Sequence, residues 1–172
     1  MEGRAEESRT AVLDSLRIYG FSFDYPAAWR LEFDPKFTRE EGSLAIKSPS
    51  KSIIFVSWGD LRKVVRKLPT AADHSKYSME RAKKNVGGTL NIVEQREMRV
   101  NGHSAAFGHA KVETPGILVG AGRRSQEIES LHLHCENTSR YFVVYTSLGP
   151  EGPKDRERHD TLLSVISTFK CH

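Results

Sequence analysis

The residues best suited to chemistry are histidines and cysteines in the last quarter of the chain. His132 and His134 are two residues apart in a segment that alternates like a β-strand, so both side chains are expected on one face. Two imidazoles on one face suit zinc, and Cys171 or His172 is a candidate to add a ligand. A zinc site on His132 and His134 is therefore one hypothesis.

Other features argue against this metal site. A regular strand points Cys135 away from the two histidines, and the chain has no CxxC, HExxH or zinc-finger spacing. A facing strand could still bring His103 or His109 near. The alternative is that His132 and His134 are surface or helix-covered residues that hydrogen-bond to their neighbours. We therefore expect no cofactor, and keep zinc as the alternative.

The two cysteines, Cys135 and Cys171, also allow a disulfide. Cys135 lies on the same strand face as Leu131 and Leu133, which should be core, and Cys171 directly follows the final predicted helix. If that helix packs on this face, the thiols can meet within the separation that a disulfide requires. A reducing cytosol favours two free, buried thiols instead. The sequence therefore allows either a disulfide or two free thiols.

Motifs for nucleophilic catalysis and nucleotide binding are missing from the sequence. Cys135 and His134 are adjacent on a strand and face apart, which does not suit a cysteine protease. No GxSxG motif indicates a serine hydrolase. The glycine-rich stretch 116–122 lacks both the GxGxxG spacing and the GK[ST] ending of nucleotide loops, and is expected to be a hairpin loop. We expect a protein without enzymatic activity.

Basic residues form a second candidate site, a partner-binding patch. If they share one face of this chain of net charge +4, they would attract an acidic protein, an anionic lipid surface or nucleic acid. No aromatic residues are interleaved for base stacking, which argues against nucleic acid. The alternative is a solvated surface. The candidates are Arg62, Lys63, Arg66, Lys67, Arg123 and Arg124, together with Lys83 and Lys84.

The fold that positions these residues begins with an aromatic segment. Tyr19, Phe21, Phe23 and Tyr25 alternate along the chain, so they share one side of an extended segment. Trp29 follows closely enough to fold back over this row. We expect this segment to be the core strand, in the middle of the sheet, against which the rest of the chain packs.

Turn and cap signals separate the remaining elements. Asn101 and Gly102 predict a tight hairpin turn, and Thr70 is a candidate helix N-cap. Small residues after the hairpin turn leave room for a helix to approach. The apolar run 52–58 is typical of a central strand that is covered on both faces. The predicted strands also cover 43–48, 91–100, 103–113, 125–135 and 140–147, and the predicted helices cover 70–86 and 154–169.

The 172 residues suit one α+β domain, in which helices flank an antiparallel sheet of six or seven strands. We expect a polar N-terminal tail over 1–15 and a single domain over 16–172. No run approaches the ~20 apolar residues of a membrane span, and the start of the chain has no apolar signal region. The sequence therefore predicts a cytoplasmic protein without a membrane span.

The order of these features carries a family resemblance. A Gly-Phe-x-Phe-x-Tyr-Pro-x-x-Trp segment from Gly20 is followed by a hairpin and a helix, then by the Val100-Asn101-Gly102 turn and the aromatic strand 140–145. A helix ending at Phe169 closes the order. Over roughly 16–170, the chain resembles the PsbP-like family, named for the extrinsic P protein of photosystem II. The Ran-binding nuclear import factor of yeast has the same fold.

The resemblance implies an α/β/α sandwich that acts as a binding or assembly scaffold without catalysis and contacts a protein partner. The matching residues are core and turn residues, so no functional site carries over. The chain lacks the transit peptide and proline-rich arm of photosynthetic members, which favours a non-photosynthetic, prokaryotic-type member. The alternatives are a metal-binding protein using the His-x-His pair and a protein that binds anionic surfaces or nucleic acid through the basic patch.

Overall fold

The computed structural model describes residues 12–85, 88–114, 124–148 and 153–172. The first strand begins at Leu13, so three residues assigned to the tail lie in a strand, and residues 1–11 lie outside the described ranges. The strands are β1 (Leu13–Ile18), β2 (Phe21–Pro26), β3 (Arg30–Phe33), β4 (Gly42–Lys47), β5 (Ile53–Asp60), β6 (Thr89–Val100), β7 (His103–Thr114), β8 (Arg124–Cys135) and β9 (Arg140–Leu148). The helices are α1 (Leu61–Val65), α2 (Ala71–Asn85) and α3 (Pro153–Thr168).

Seven of the strands form one antiparallel sheet in the order β3-β4-β5-β9-β8-β7-β6. This confirms the predicted α+β class and strand number. The turn between β6 and β7 is the predicted one, with positive φ at both Asn101 and Gly102. None of the helices in the described ranges is long and apolar enough to cross a membrane.

The opening aromatic segment is not the middle of that sheet, so this prediction was wrong. β1 and β2 pair with each other in a separate two-stranded sheet, around a turn at Tyr19 and Gly20. The other edge of β2 bonds to the segment after α3, where the amides of Ser22 and Lys170 each donate to the other residue's carbonyl at 2.8 Å. The hairpin thus lies on the sheet and inserts side chains into the core.

The main core lies between one face of the sheet and a layer made of α3 and the β1–β2 hairpin. Phe21 and Phe23 are each 1% exposed, and Trp29 is also buried, as the aromatic pattern predicts. The Phe21 ring centroid lies 5.1 Å from those of both Trp58 and Phe142, within the range of favourable aromatic pairs. Burial of these rings holds the hairpin on the sheet.

Helix α2 covers the opposite face over β6, β7 and β8. Thr70 caps this helix as predicted, because its Oγ1 accepts from Asp73 N at 3.0 Å while its own N–H donates to Asp73 Oδ2. Gly108 on β7 allows the close approach, since a Cβ there would overlap the end of the Met79 side chain. Small strand residues therefore bring α2 onto the sheet, as the sequence predicts.

The same face is more open over β5 and β9. Phe55 and Tyr145 stack across these strands with ring centroids 5.0 Å apart, and Tyr145 is 37% exposed. The prediction that 52–58 is covered on both faces was therefore wrong for this side. The reason is the position of α2, which packs mainly on β6, β7 and β8.

Candidate functional site

His132 and His134 project from β8 toward α2, as strand alternation predicts. They meet His74 from α2, whose ring centroid lies 4.9 Å from that of His132 and 5.5 Å from that of His134. His74 Nδ1 is 3.3 Å from His134 Nε2, and His132 Nε2 is 3.1 Å from Ser78 Oγ. His74 was not among the residues predicted from the sequence, although its i, i+4 spacing to Ser78 places both on one helix face.

Burial keeps these histidines neutral. It lowers the pKa of His132 to about 3, with smaller contributions from His74 and His134. Burial, then His134, lowers the pKa of His74 to about 4. Burial also lowers the pKa of His134, although Asp73 and Glu136 oppose that shift. The three rings therefore form a neutral, helix-covered cluster with hydrogen-bond partners, and zinc on His132 and His134 stays a prediction.

The cluster predicts a loss of stability in mild acid. The folded-state pKa of His132 is about 3 against about 6.5 unfolded, so its contribution is complete above pH 6.5 and is lost as the pH falls toward 3. At pH 5 the loss is about 2 kcal/mol for His132 alone. Urea unfolding at pH 7 and pH 5 measures it, and His132→Leu should reduce the difference between the two pH values, while His74 and His134 keep their own contributions. An unchanged pH dependence in that variant would contradict the assignment.

An apolar cavity of about 320 Å³ lies beside the cluster, between α2 and the sheet. We call it the α2 cavity. Ser78, Ser130 and His132 add polar groups to its wall, and His132 Nδ1 is buried without a hydrogen-bond partner among the described residues. The main apolar walls are Met79 and Ala82 of α2, Leu90 of β6, Ile128 of β8, and Val143 and Tyr145 of β9.

The cysteines lie on the other face of β8. Cys135 and Cys171 form a disulfide with Cα atoms 6.3 Å apart, which joins β8 to the segment that follows α3, and both residues are buried. His172 Nδ1 lies 3.5 Å from Cys171 Sγ. The suggestion that Cys171 or His172 joins a site with His132 and His134 was therefore wrong, because the sheet separates the two groups.

The basic candidates in the described part of the chain lie in two places, near α1 and near the end of α2, and a shared partner-binding patch stays a prediction. Arg62 makes two 2.9 Å hydrogen bonds to Asp60, and Lys63 pairs with Glu41 at 3.7 Å. Arg66 and Lys67 are exposed just after α1. Lys83 and Lys84 lie near the far end of α2, which at 1.5 Å per residue is about 20 Å from its start. Arg123 and the side chain of Arg124 lie outside the described residues.

Comparisons with known proteins identify the fold. No protein-family model matches the chain, and no curated protein gives a significant match. The solution structure of cyanobacterial PsbP (CyanoP) from Synechocystis sp. PCC 6803 is similar with a TM-score of 0.61 and 14% identity, over 99% of this chain and 98% of that one. The Ran-binding protein Mog1p of Saccharomyces cerevisiae is similar with a TM-score of 0.65 and 8% identity, over 94% of this chain and 96% of that one. The chain therefore has the PsbP-like fold of CyanoP and Mog1p, as the sequence resemblance predicts.

Proposed function

We propose that the chain is a non-catalytic protein-binding module that takes an apolar side chain of its partner into the α2 cavity. The observation that carries the proposal is the cavity itself, which is largely apolar and about 320 Å³ in volume, at the lower end of ligand-site sizes. Tyr145 forms part of its wall and is also stacked on Phe55 at the more open part of the sheet face. A partner can therefore contact this aromatic pair and the cavity together.

Charge around the cavity favours an acidic partner. From Lys76 to its end, α2 carries four exposed cations and the single anion Glu80, while Met79 and Ala82 of the same helix form the cavity wall. An acidic segment would thus be attracted to this helix while its apolar residue enters the cavity. The exposed cations are Lys76, Arg81, Lys83 and Lys84.

The polar groups of the cavity support binding without turnover. Ser78 and His132 form a pair that has the types of a nucleophile and a general base. However, His132 Nδ1 has no orienting carboxylate among the described partners, and a pKa of about 3 makes the imidazole a poor base near neutral pH. The Ran-binding name of the similar structure Mog1p also supports a protein partner.

Peptide binding tests the proposal. The probes are peptides with a central Leu, Phe or Trp flanked by Asp and Glu, compared with peptides in which Lys replaces the acids or Ser replaces the apolar residue. We expect binding only when both features are present, with amide shift changes in NMR at Ser78, Ala82 and Tyr145. Filling the cavity with Ala82→Phe should weaken binding at least tenfold, by analogy with the loss of a buried anchor.

The control is Ala72→Phe, a substitution on the same helix at a residue outside the cavity wall. It should leave peptide affinity unchanged, and circular dichroism should show both variants folded. Peptide affinity that is unchanged in Ala82→Phe, or NMR amide shift changes that are confined to another surface, would contradict the proposed site. Basic peptides binding as well as acidic ones would contradict the proposed partner chemistry.

A further inference from the structure

Four potential metal ligands from three segments meet around the disulfide. His103 opens β7 two residues before Ala105, which pairs with Leu133, so the register places His103 opposite Cys135. Cys171 and His172 arrive from the segment after α3. One ligand atom from each of these four side chains lies within 4.8 Å of the others. In the described part of the chain, no other group of three or more His, Cys, Asp and Glu side chains brings its ligand atoms this close together.

The distances fit a tetrahedral metal centre. Zinc–sulfur bonds of about 2.3 Å and zinc–nitrogen bonds of about 2.0 Å place sulfur and nitrogen ligands about 3.5 Å apart at the tetrahedral angle. His172 Nδ1 lies 3.5 Å from Cys171 Sγ and 3.8 Å from Cys135 Sγ. The His103 ring is close to His172, with centroids 4.9 Å apart and planes at 89°. The two imidazoles thus approach the sulfur pair without stacking on each other.

We propose that the reduced chain binds Zn²⁺ through Cys135, Cys171, His103 and His172, and that the disulfide and the zinc site are alternative states of the same residues. A dithiol reductant supplies two electrons and two protons, which break the S–S bond and give two thiols as the reductant becomes a disulfide. Zn²⁺ then displaces the two thiol protons to solvent and binds two thiolates and two neutral imidazoles.

The surrounding structure can accommodate the second state. Thiolates on one zinc ion stand about 3.8 Å apart, so the sulfurs must separate. The Cα atoms of Cys135 and Cys171 are 6.3 Å apart. Cys135 belongs to β8, and Cys171 belongs to the short segment beyond α3. Asn137 contacts His172 Nε2 at 3.3 Å. A 180° rotation of the Asn137 side-chain amide brings its oxygen to this position, where it accepts a hydrogen bond from His172 Nε2–H. His172 Nδ1 is then free to bind the metal.

Metal binding to oxidised and reduced protein tests the proposal. The whole chain is reduced in denaturant, refolded without metal and without oxygen, and titrated with Zn²⁺ against a chromophoric chelator. We expect one tightly bound Zn²⁺ per reduced chain and none on the oxidised chain. Co²⁺ should give thiolate-to-metal charge transfer and strong visible bands of a tetrahedral site. Equal binding by both forms, or none by the reduced form, would overturn the proposal.

Variants identify the ligands under the same reducing conditions, where no chain contains a disulfide. Cys171→Ser should lower the charge-transfer band by at least about half, because it leaves one of the two thiolate ligands. His103→Gln and His172→Gln should each weaken Zn²⁺ binding at least about tenfold, the lower end of what loss of even an outer partner costs. His109→Gln is the matched control, because His109 lies on the same strand but contacts Glu127. Unchanged affinity in both ligand-histidine variants would overturn the assignment, and circular dichroism checks that each chain is folded.

Discussion

Replacing Phe21 with alanine is expected to lower the free energy of unfolding by about 3–5 kcal/mol, the usual cost of removing a buried phenylalanine ring. Phe21 is 1% exposed and lies among the rings of Trp58, Phe142 and Phe169. The Arg140 guanidinium also lies 5.7 Å from its centroid. The cost is expected to be high because these neighbours come from β5, β9 and the segment directly after α3, and they cannot easily collapse into the hole.

Urea unfolding at neutral pH measures this loss. Tyr77→Ala is the control, because Tyr77 is an aromatic residue on α2 that is 50% exposed. Its effect should stay within about 0.5 kcal/mol, as for most surface substitutions. A loss below about 1 kcal/mol for Phe21→Ala would contradict the packing of the β1–β2 hairpin on the sheet.

Reducing the Cys135–Cys171 bond is expected to destabilise the chain by about 4 kcal/mol. The bond spans 36 residues, and loop-closure entropy in the unfolded chain gives this value for a loop of that length. Urea unfolding with and without reductant measures the difference, with a metal chelator present so that bound zinc does not contribute. The double variant Cys135→Ser/Cys171→Ser should show no response to reductant.

Thiol titration provides the accompanying check on the disulfide. In denaturant and before reduction, the protein should show no free thiols, and after reduction it should show two. Two free thiols in protein purified without reductant would contradict the bond under those conditions. Equal urea midpoints for oxidised and reduced protein would contradict its contribution to stability.

Local sequence signals predicted the elements because their causes are local. Asn101 and Gly102 tolerate the positive φ of a tight hairpin turn, and Thr70 caps a helix through residues three positions away. The place of the opening aromatic segment was not predictable in this way. Phe21 and Phe23 would be buried in the same alternation whether the strand lay within the sheet or across it, since periodicity reports only which side chains are buried.

The candidate sites depend on contacts between distant elements, so the sequence predicted them less well. His132 and His134 were correctly placed on one face of β8, but their neighbour His74 depends on how α2 packs. Cys135 and Cys171 were left as either free or joined, because their separation depends on where α3 ends relative to β8. His172 was considered with the wrong histidines, since only the packing of α3 decides the face that it reaches.

The short segment after α3 connects the β1–β2 hairpin to the large sheet. Lys170 is bonded to Ser22 in β2, and Cys171 is bonded to Cys135 in β8, so adjacent residues hold the opening hairpin and the sheet at once. Loosening of the β1–β2 hairpin is therefore coupled to loosening of the segment after α3. A protease or an unfolding force that releases this segment would loosen the β1–β2 hairpin and α3 together, rather than one element after the other.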